Sequence, residues 1–239
     1  MGQDLSALVA VITGASRGIG EAVARDLAGA GVRLVLTARS ADKLSALAAE
    51  LNAVAVPGDI TDATLPERLL AQALDSYGRC DIVLNNAGII EVGPIQSIDI
   101  EKVCSMVRIN VEAAYRVAYV FARHFLKANR GHLVNISSVM GTKVRPTAGA
   151  YSGTKYAIEA LSEALRMELA GTPVHVICIE PGLVFTGLHD GWAIHPSQSM
   201  NIPNALKPED VAAVIRFALT QPPHVRIPRL MVLPHEHQI

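Results

Sequence analysis

Seven short runs of mainly apolar residues, at 9–13, 33–37, 53–56, 81–84, 132–136, 174–179 and 229–233, are separated by stretches whose apolar residues return every three to four positions. Runs without polar alternation belong to strands buried on both faces, and the helical sequence between them supplies the covering layers. The pattern therefore predicts an α/β fold with a parallel sheet joined by right-handed crossovers. Helix ends are marked as well. Gly29 and Gly31 stop the first helix, Ser40 stands where it can cap the second, and Pro208 suits the first turn of the last. Two helical segments are long, 99–127 and 150–170. The second sets Ala157, Leu161, Ala164 and Leu165 on one face, for burial against the sheet or a second subunit.

Between 183 and 207 the periodicity is lost, and Gly, Pro, Ser, His and Trp192 gather in a segment too long for an ordinary connection. It follows the carboxyl end of a strand, where ligands sit in open α/β sheets, so a substrate lid is expected in preference to a plain surface loop. Nothing else interrupts the pattern, and 239 residues suit one doubly wound domain spanning 1–239.

Composition narrows the function. Half the residues are hydrophobic and 18% are charged, as in a compact globular chain without a disordered tail. With a net charge of −1 and its basic residues scattered singly, the chain has no stripe to follow a phosphate backbone, and no nucleic-acid partner is expected. The apolar run 8–13 is too short to span a membrane and lacks the flanks of a secretory signal. The opening residues, with Gly2 at their head, match a myristoylation pattern that is too short to count for much, so no membrane partner is expected. Cys80, Cys104 and Cys178 are odd in number and far apart, which predicts buried free thiols and a cytoplasmic location. His189 and His195 lack neighbouring ligands to complete a metal site, and none is expected.

The segment Thr13-Gly-Ala-Ser-Arg-Gly-Ile-Gly20 follows the first strand and opens the first helix, so its glycines permit a tight turn and the helix N-terminus faces a pyrophosphate. Its cofactor candidates are Gly14, Ser16, Arg17, Gly18, Ile19 and Gly20. At the end of the second strand, where a carboxylate would hold a ribose 2′-hydroxyl, the chain has Thr37-Ala38-Arg39. With no acid to repel a 2′-phosphate, Arg39 and Arg17 can pair with it, and NADP(H) is preferred over NAD(H). Asp42 lies in the following helix, where its place near the N-terminus is reason enough for a carboxylate.

Tyr151 and Lys155 stand four residues apart at the start of a predicted helix and so share a face. Carbonyl reduction needs a proton donor and alcohol oxidation a base, and a tyrosine with a lowered pKa can be both. Moving its pKa from about 10 to about 7 takes about 4 kcal/mol. An ammonium at ~4 Å and an effective dielectric of ~20 supplies that much, so Lys155 is expected to lower Tyr151. Ser138 ends the fifth strand and can hold the substrate oxygen. Ser137 competes with it, and alternation lets only one of the two reach the site.

Taken together, these motifs resemble those of the short-chain dehydrogenases/reductases along essentially the whole chain. Thr13 to Gly20 is similar to the family's glycine turn, Asn85-Asn-Ala-Gly88 to its N-N-A-G motif, and Tyr151 with Lys155 to its Y-x-x-x-K. Ser138 precedes Tyr151 by thirteen residues, the family's spacing, which selects it over Ser137. The resemblance implies a Rossmann-type sheet ordered 3-2-1-4-5-6-7 and a homodimer or homotetramer. It makes Lys155 a ligand of the nicotinamide ribose and Asn110 a fourth catalytic residue, supporting a proton relay. It also assigns the cofactor to Asp59 and Ile60, to Asn86, Ala87 and Gly88, and to Pro181, Gly182, Val184 and Thr186.

The implied activity is hydride exchange between NADP(H) and a small-to-medium carbonyl or secondary alcohol. Ile90, Met140, Val144, His189 and Trp192 are the substrate candidates, while Arg145 is expected to be solvated. A catalytically silent NADP-binding sensor is the alternative. It would have no need of the four catalytic residues that are present.

Overall fold

The computed structural model describes residues 3–238, so the myristoylation pattern at Gly2 lies outside the described residues. Seven parallel strands form one sheet in the order β3-β2-β1-β4-β5-β6-β7, as expected. They are β1 (Val9–Thr13), β2 (Arg33–Thr37), β3 (Val54–Ala55), β4 (Ile82–Asn85), β5 (Gly131–Ile136), β6 (Val174–Pro181) and β7 (Arg229–Val232). β1, β4 and β5 are buried along their whole length, which is why their sequences lack alternation. The chain reverses its direction of winding between β1 and β4, whose register pairs Ala10 with Ile82 and Ile12 with Leu84. A crevice therefore opens at the carboxyl ends of these two strands.

Helices α1 (Gly18–Gly29), α2 (Ala41–Leu51) and α8 (Pro208–Leu219) cover one face, burying Val23, Leu27, Leu44, Leu47, Val211 and Ile215 against it. Helices α3 (Leu65–Tyr77), α5 (Ala114–Ala128) and α6 (Gly149–Glu168) cover the other, with Leu69, Phe121, Phe125, Leu161 and Leu165 inward. Ala157 and Ala164 of the expected apolar face are only half-buried, and Ile158 and Ser162 join Leu161 and Leu165 inside. Ser40 takes the N-cap position of α2 without its side chain closing a capping bond.

Two expectations are corrected here. The segment 99–127 is three pieces: α4 (Ile100–Val107), a π turn at Arg108–Ala113, and α5. The break falls around Asn110, whose carboxamide is committed to the main chain of Ile89 and so holds the helix to the loop after β4. The three thiols are not all buried: Cys80 and Cys178 are, but Cys104 is exposed on α4, where Met106 is the buried residue.

The segment 183–207 is more ordered than loss of periodicity predicts. It holds a 3₁₀ turn at Gly187–His189 and the short helix α7 (Pro196–Ser199). Its roots are joined by a bridge between Val184 and Leu206, and Leu183, Ile202 and Ala205 form a small core beneath it.

Candidate active site

Thr13 ends β1 and ties the turn to β4. Its hydroxyl accepts from the main-chain N–H groups of Asn86 and Ala87, at 2.9 and 3.1 Å. Asn86 returns a bond from Nδ2 to the Thr13 carbonyl at 2.9 Å. This clasp presses the glycine turn against the N-N-A-G segment. Gly14 adopts φ +66°, and a Cβ at Gly20 would lie 2.4 Å from the Gly14 carbonyl oxygen, so no larger residue fits there. Asn85 bonds Asn135 of β5 at 3.0 Å, and Asn135 bonds Ser162 of α6 at 2.9 Å, a buried chain that holds the strand ends beneath the site.

Above them lies a cleft of about 450 Å³. Gly14, Ser16, Arg17, Gly18 and Ile19 form one wall; Asp59, Ile60, Asn86, Ala87 and Gly88 line it further along; Pro181, Gly182, Val184 and Thr186 close it from the β6 side. Gly20 is the one cofactor candidate off the surface, acting through the packing just described. Arg39 lines the far end, and its guanidinium helps hold the Asp59 carboxyl below its usual range, after the larger effect of the Thr61 N–H and hydroxyl. Asp59 is the only acid on the cleft wall among the described residues, whereas Arg17, Arg39 and Lys43 all reach it. A close-packed glycine turn at a helix N-terminus fits a dinucleotide, with Arg39 and Lys43 free of ion pairs among the described residues at its far end and Arg17 paired with Asp190 at 3.4 Å.

At the other end, Tyr151, Lys155 and Ser138 are buried side by side. Lys155 Nζ donates to the Ile136 carbonyl at 2.9 Å and sits 5.8 Å from the centre of the Tyr151 ring. Ser138 lies by Tyr151 on the cleft wall and accepts from the Met140 N–H at 3.1 Å, whereas the Ser137 hydroxyl turns to the carbonyl of Lys155. Asn110 is buried alongside, and its Nδ2 reaches Thr154 Oγ1 at 3.3 Å as well as the Ile89 carbonyl at 2.8 Å.

The simple charge argument for Tyr151 is corrected. Burial pushes its phenol above the ordinary value, while the Ser138 hydroxyl and the Arg145 guanidinium act in the opposite direction. Lys155 is itself pushed down to about 8 by burial and gives one of its three donors to Ile136, and its charge does not outweigh the burial that raises the phenol.

Of the substrate candidates, Ile90, Met140 and His189 line the cleft. Val144 is 69% exposed and Trp192 packs edge-on against His189 from behind, so neither reaches it. Arg145 is exposed, as expected, and it also lines the cleft, where it donates to Met200 Sδ at 3.0 Å. Lys43, Met200 and His237 line it too. None of these three had a local signal, because each comes from a segment far from the recognised motifs.

Residues 8–195 match the short chain dehydrogenase family. The chain belongs to the short-chain dehydrogenases. An uncharacterised oxidoreductase of Staphylococcus aureus is 35% identical over 229 residues, covering 95% of this chain and 96% of its own. Among solved structures, the closed form of a serine dehydrogenase complexed with NADP+ superposes with a TM-score of 0.90 at 29% identity, covering 97% of each chain. An alcohol dehydrogenase from the archaeon Thermococcus sibiricus, complexed with 5-hydroxy-NADP, gives 0.85 at 30% identity and covers 97% of this chain and 98% of its own. This short-chain dehydrogenase thus has an oxidoreductase fold over its full described length. Among the described residues, no helix is long and apolar enough to cross a membrane.

Proposed function

We propose that the chain is an NADP(H)-dependent oxidoreductase acting on a small-to-medium carbonyl or secondary alcohol. The observation that carries it is one cleft with Tyr151, Ser138 and Lys155 buried at one end and Arg39 and Lys43 at the other, with Arg17 on the glycine turn between them, paired with Asp190 at 3.4 Å. When bound, the cofactor supplies or accepts the hydride. Ser138, on the same cleft wall as Tyr151, holds the substrate oxygen beside the phenol, which gives up its proton in reduction and takes one in oxidation.

Burial keeps the phenol protonated, and this suits the reductive direction. Lys155 stands near enough to stabilise the phenolate as the proton leaves, and its ammonium would hold the nicotinamide ribose of a bound cofactor. Asn110, in the π turn, supports the relay that restores the proton. The complexes of similar folds with NADP+ and with 5-hydroxy-NADP support the phosphorylated cofactor. The segment 183–207, rooted at Val184 and Leu206, acts as a lid over the substrate end. The enzyme works in the cytoplasm as a homodimer or homotetramer.

The test is NADPH oxidation across ketones, aldehydes and oxo acids, with Tyr151→Phe beside the wild type. Removing the proton donor is expected to lower kcat by about 10²–10⁴-fold. A variant that keeps wild-type turnover rejects the mechanism.

A further inference from the structure

The substrate end of the cleft is built unevenly. Arg145 lines the same cleft as Tyr151, His189 and His237, and its charge bears on all three. Its one hydrogen-bond partner among the described residues is the thioether of Met200, a weak acceptor, and no carboxylate pairs with it. A guanidinium carries five donors in a planar fork, and an arginine fixed for structural reasons spends them on carbonyls or carboxylates.

His189 and His237 each bury Nδ1 without a partner, and burial holds both below the ordinary histidine value, His189 at about 4. They are neutral near pH 7 and cannot replace the guanidinium as a cation. The cleft's one acid, Asp59, is near Arg39 at the opposite end. The cleft that holds the reacting group therefore also presents a guanidinium with no carboxylate within salt-bridge distance among the described residues, the nearby Asp190 being paired with Arg17.

We propose that Arg145 recognises a carboxylate on the substrate, so that the physiological pair is an oxo acid and the corresponding hydroxy acid. This rests on the carbonyl/alcohol reading of the site and narrows it to one substrate class. The fork takes the carboxylate in two parallel N–H···O bonds, and the carbonyl is thereby aimed at Ser138 and Tyr151. Met200 gives up a weak bond that the carboxylate more than replaces. Arg145 is thus a specificity-determining residue that takes no part in proton transfer.

The experiment pairs 2-oxobutanoate, 3-oxobutanoate and 4-oxopentanoate with their methyl esters, which keep the carbonyl and remove the charge. At least one acid is expected to exceed its ester in kcat/KM by about tenfold or more, the worth of a charge-assisted hydrogen bond. Arg145→Gln is expected to abolish that preference through KM, and Arg145→Lys to recover part of it. Any effect of Arg145 on Tyr151 acts on both series and cancels in the ratio. Equal preference for acid and ester in the wild type, or a ratio unchanged in Arg145→Gln, overturns the proposal.

A second readout does not need turnover. Trp192, the only tryptophan, has its ring centre 5.0 Å from that of His189, so its emission reports on this end of the cleft. Titrating the three acids into wild-type and Arg145→Gln protein with saturating NADP+ should change the emission in the first and require far higher concentrations in the second. If no carbonyl of either series is reduced, the oxidoreductase reading fails by itself. The titration then still decides the carboxylate site, because identical curves for the two proteins reject it.

Discussion

Arg39 is the side chain at which the cofactor reading is most directly tested. It is exposed, is paired with no carboxylate within salt-bridge distance among the described residues, and faces a cleft wall on which Lys43 and Arg17 also stand. Its fork is free for a 2′-phosphate, whereas an aspartate there would repel the phosphate and accept from a ribose hydroxyl. Arg39→Asp is therefore expected to lower the NADPH/NADH ratio of kcat/KM by about a hundredfold, near the upper value of one charge-assisted bond. Steady-state kinetics with both cofactors measures it, and an unchanged ratio would remove Arg39 from the cofactor site.

Arg39 was legible because it stands at a fixed distance from the glycine turn, and Tyr151, Lys155 and Ser138 because their spacing lies within one segment. Lys43, Arg145 and His237 were not, since only the folded chain brings them together. Val144 and Trp192 failed for the converse reason: neighbours in sequence of residues that line the cleft, they point elsewhere. The Tyr151 charge argument failed because it counted one attraction and left out burial.

At the scale of elements, all seven strands were legible, since buried parallel strands have no polar face to blur the pattern. The losses came at the edges and at a break. β3 shrinks to Val54–Ala55 at the sheet margin, and a π turn that widens one helical coil leaves apolar periodicity almost unchanged, so α4 and α5 read as one. β5 divides its labour along its length. Its carboxyl end leads to Ser138, while its amino end packs His132 against His175 with ring centres 4.8 Å apart, next to the Asp81 that pairs with Arg79 and Arg130.

His132 is buried, its Nδ1 has no partner among the described residues, and burial with the adjacent His175 lowers it to about 4 from 6.5. Between these two pH values the unfolded chain takes up the proton and the folded chain does not. The stability contributed by the neutral ring is therefore complete above pH 6.5 and is lost as the pH falls toward 4. A shift of this size corresponds to about 3 kcal/mol. Urea unfolding at several pH values should show wild type losing about that much more than His132→Phe over this window. Phenylalanine keeps the stacking and removes the titrating nitrogen, so parallel curves for the two proteins would clear His132 of the effect.

On the scale of the molecule, the sheet's two faces are treated differently. α8 crosses the face it shares with α1 and ties to it through Arg216 and Asp26. On the opposite face, α5 turns Phe121 and Phe125 inward but leaves Tyr119 and Leu126 exposed, and α6 leaves Tyr156 and Met167 exposed, Met167 by 68%. Ile100 on α4 adds to the same side. Exposed apolar residues are ordinary one at a time; clustered on adjacent helices, they mark a surface suited to a second copy, whose twofold symmetry would set each helix pair against its equal.

Burying such a surface also bears on catalysis, because α6 carries Tyr151 and Lys155 at its amino end and Met167 near its carboxyl end. A partner that immobilises α6 would hold the catalytic turn in place. Light scattering is expected to give a dimer or tetramer for the wild type, and Leu126→Asp combined with Met167→Asp a monomer of lower melting temperature and reduced kcat. Both substituted positions are exposed, so the isolated fold tolerates the charges, and the loss of activity would trace to the loss of the partner. A wild type that is monomeric at micromolar concentration, or a double variant that stays assembled, would place the contact elsewhere or remove it.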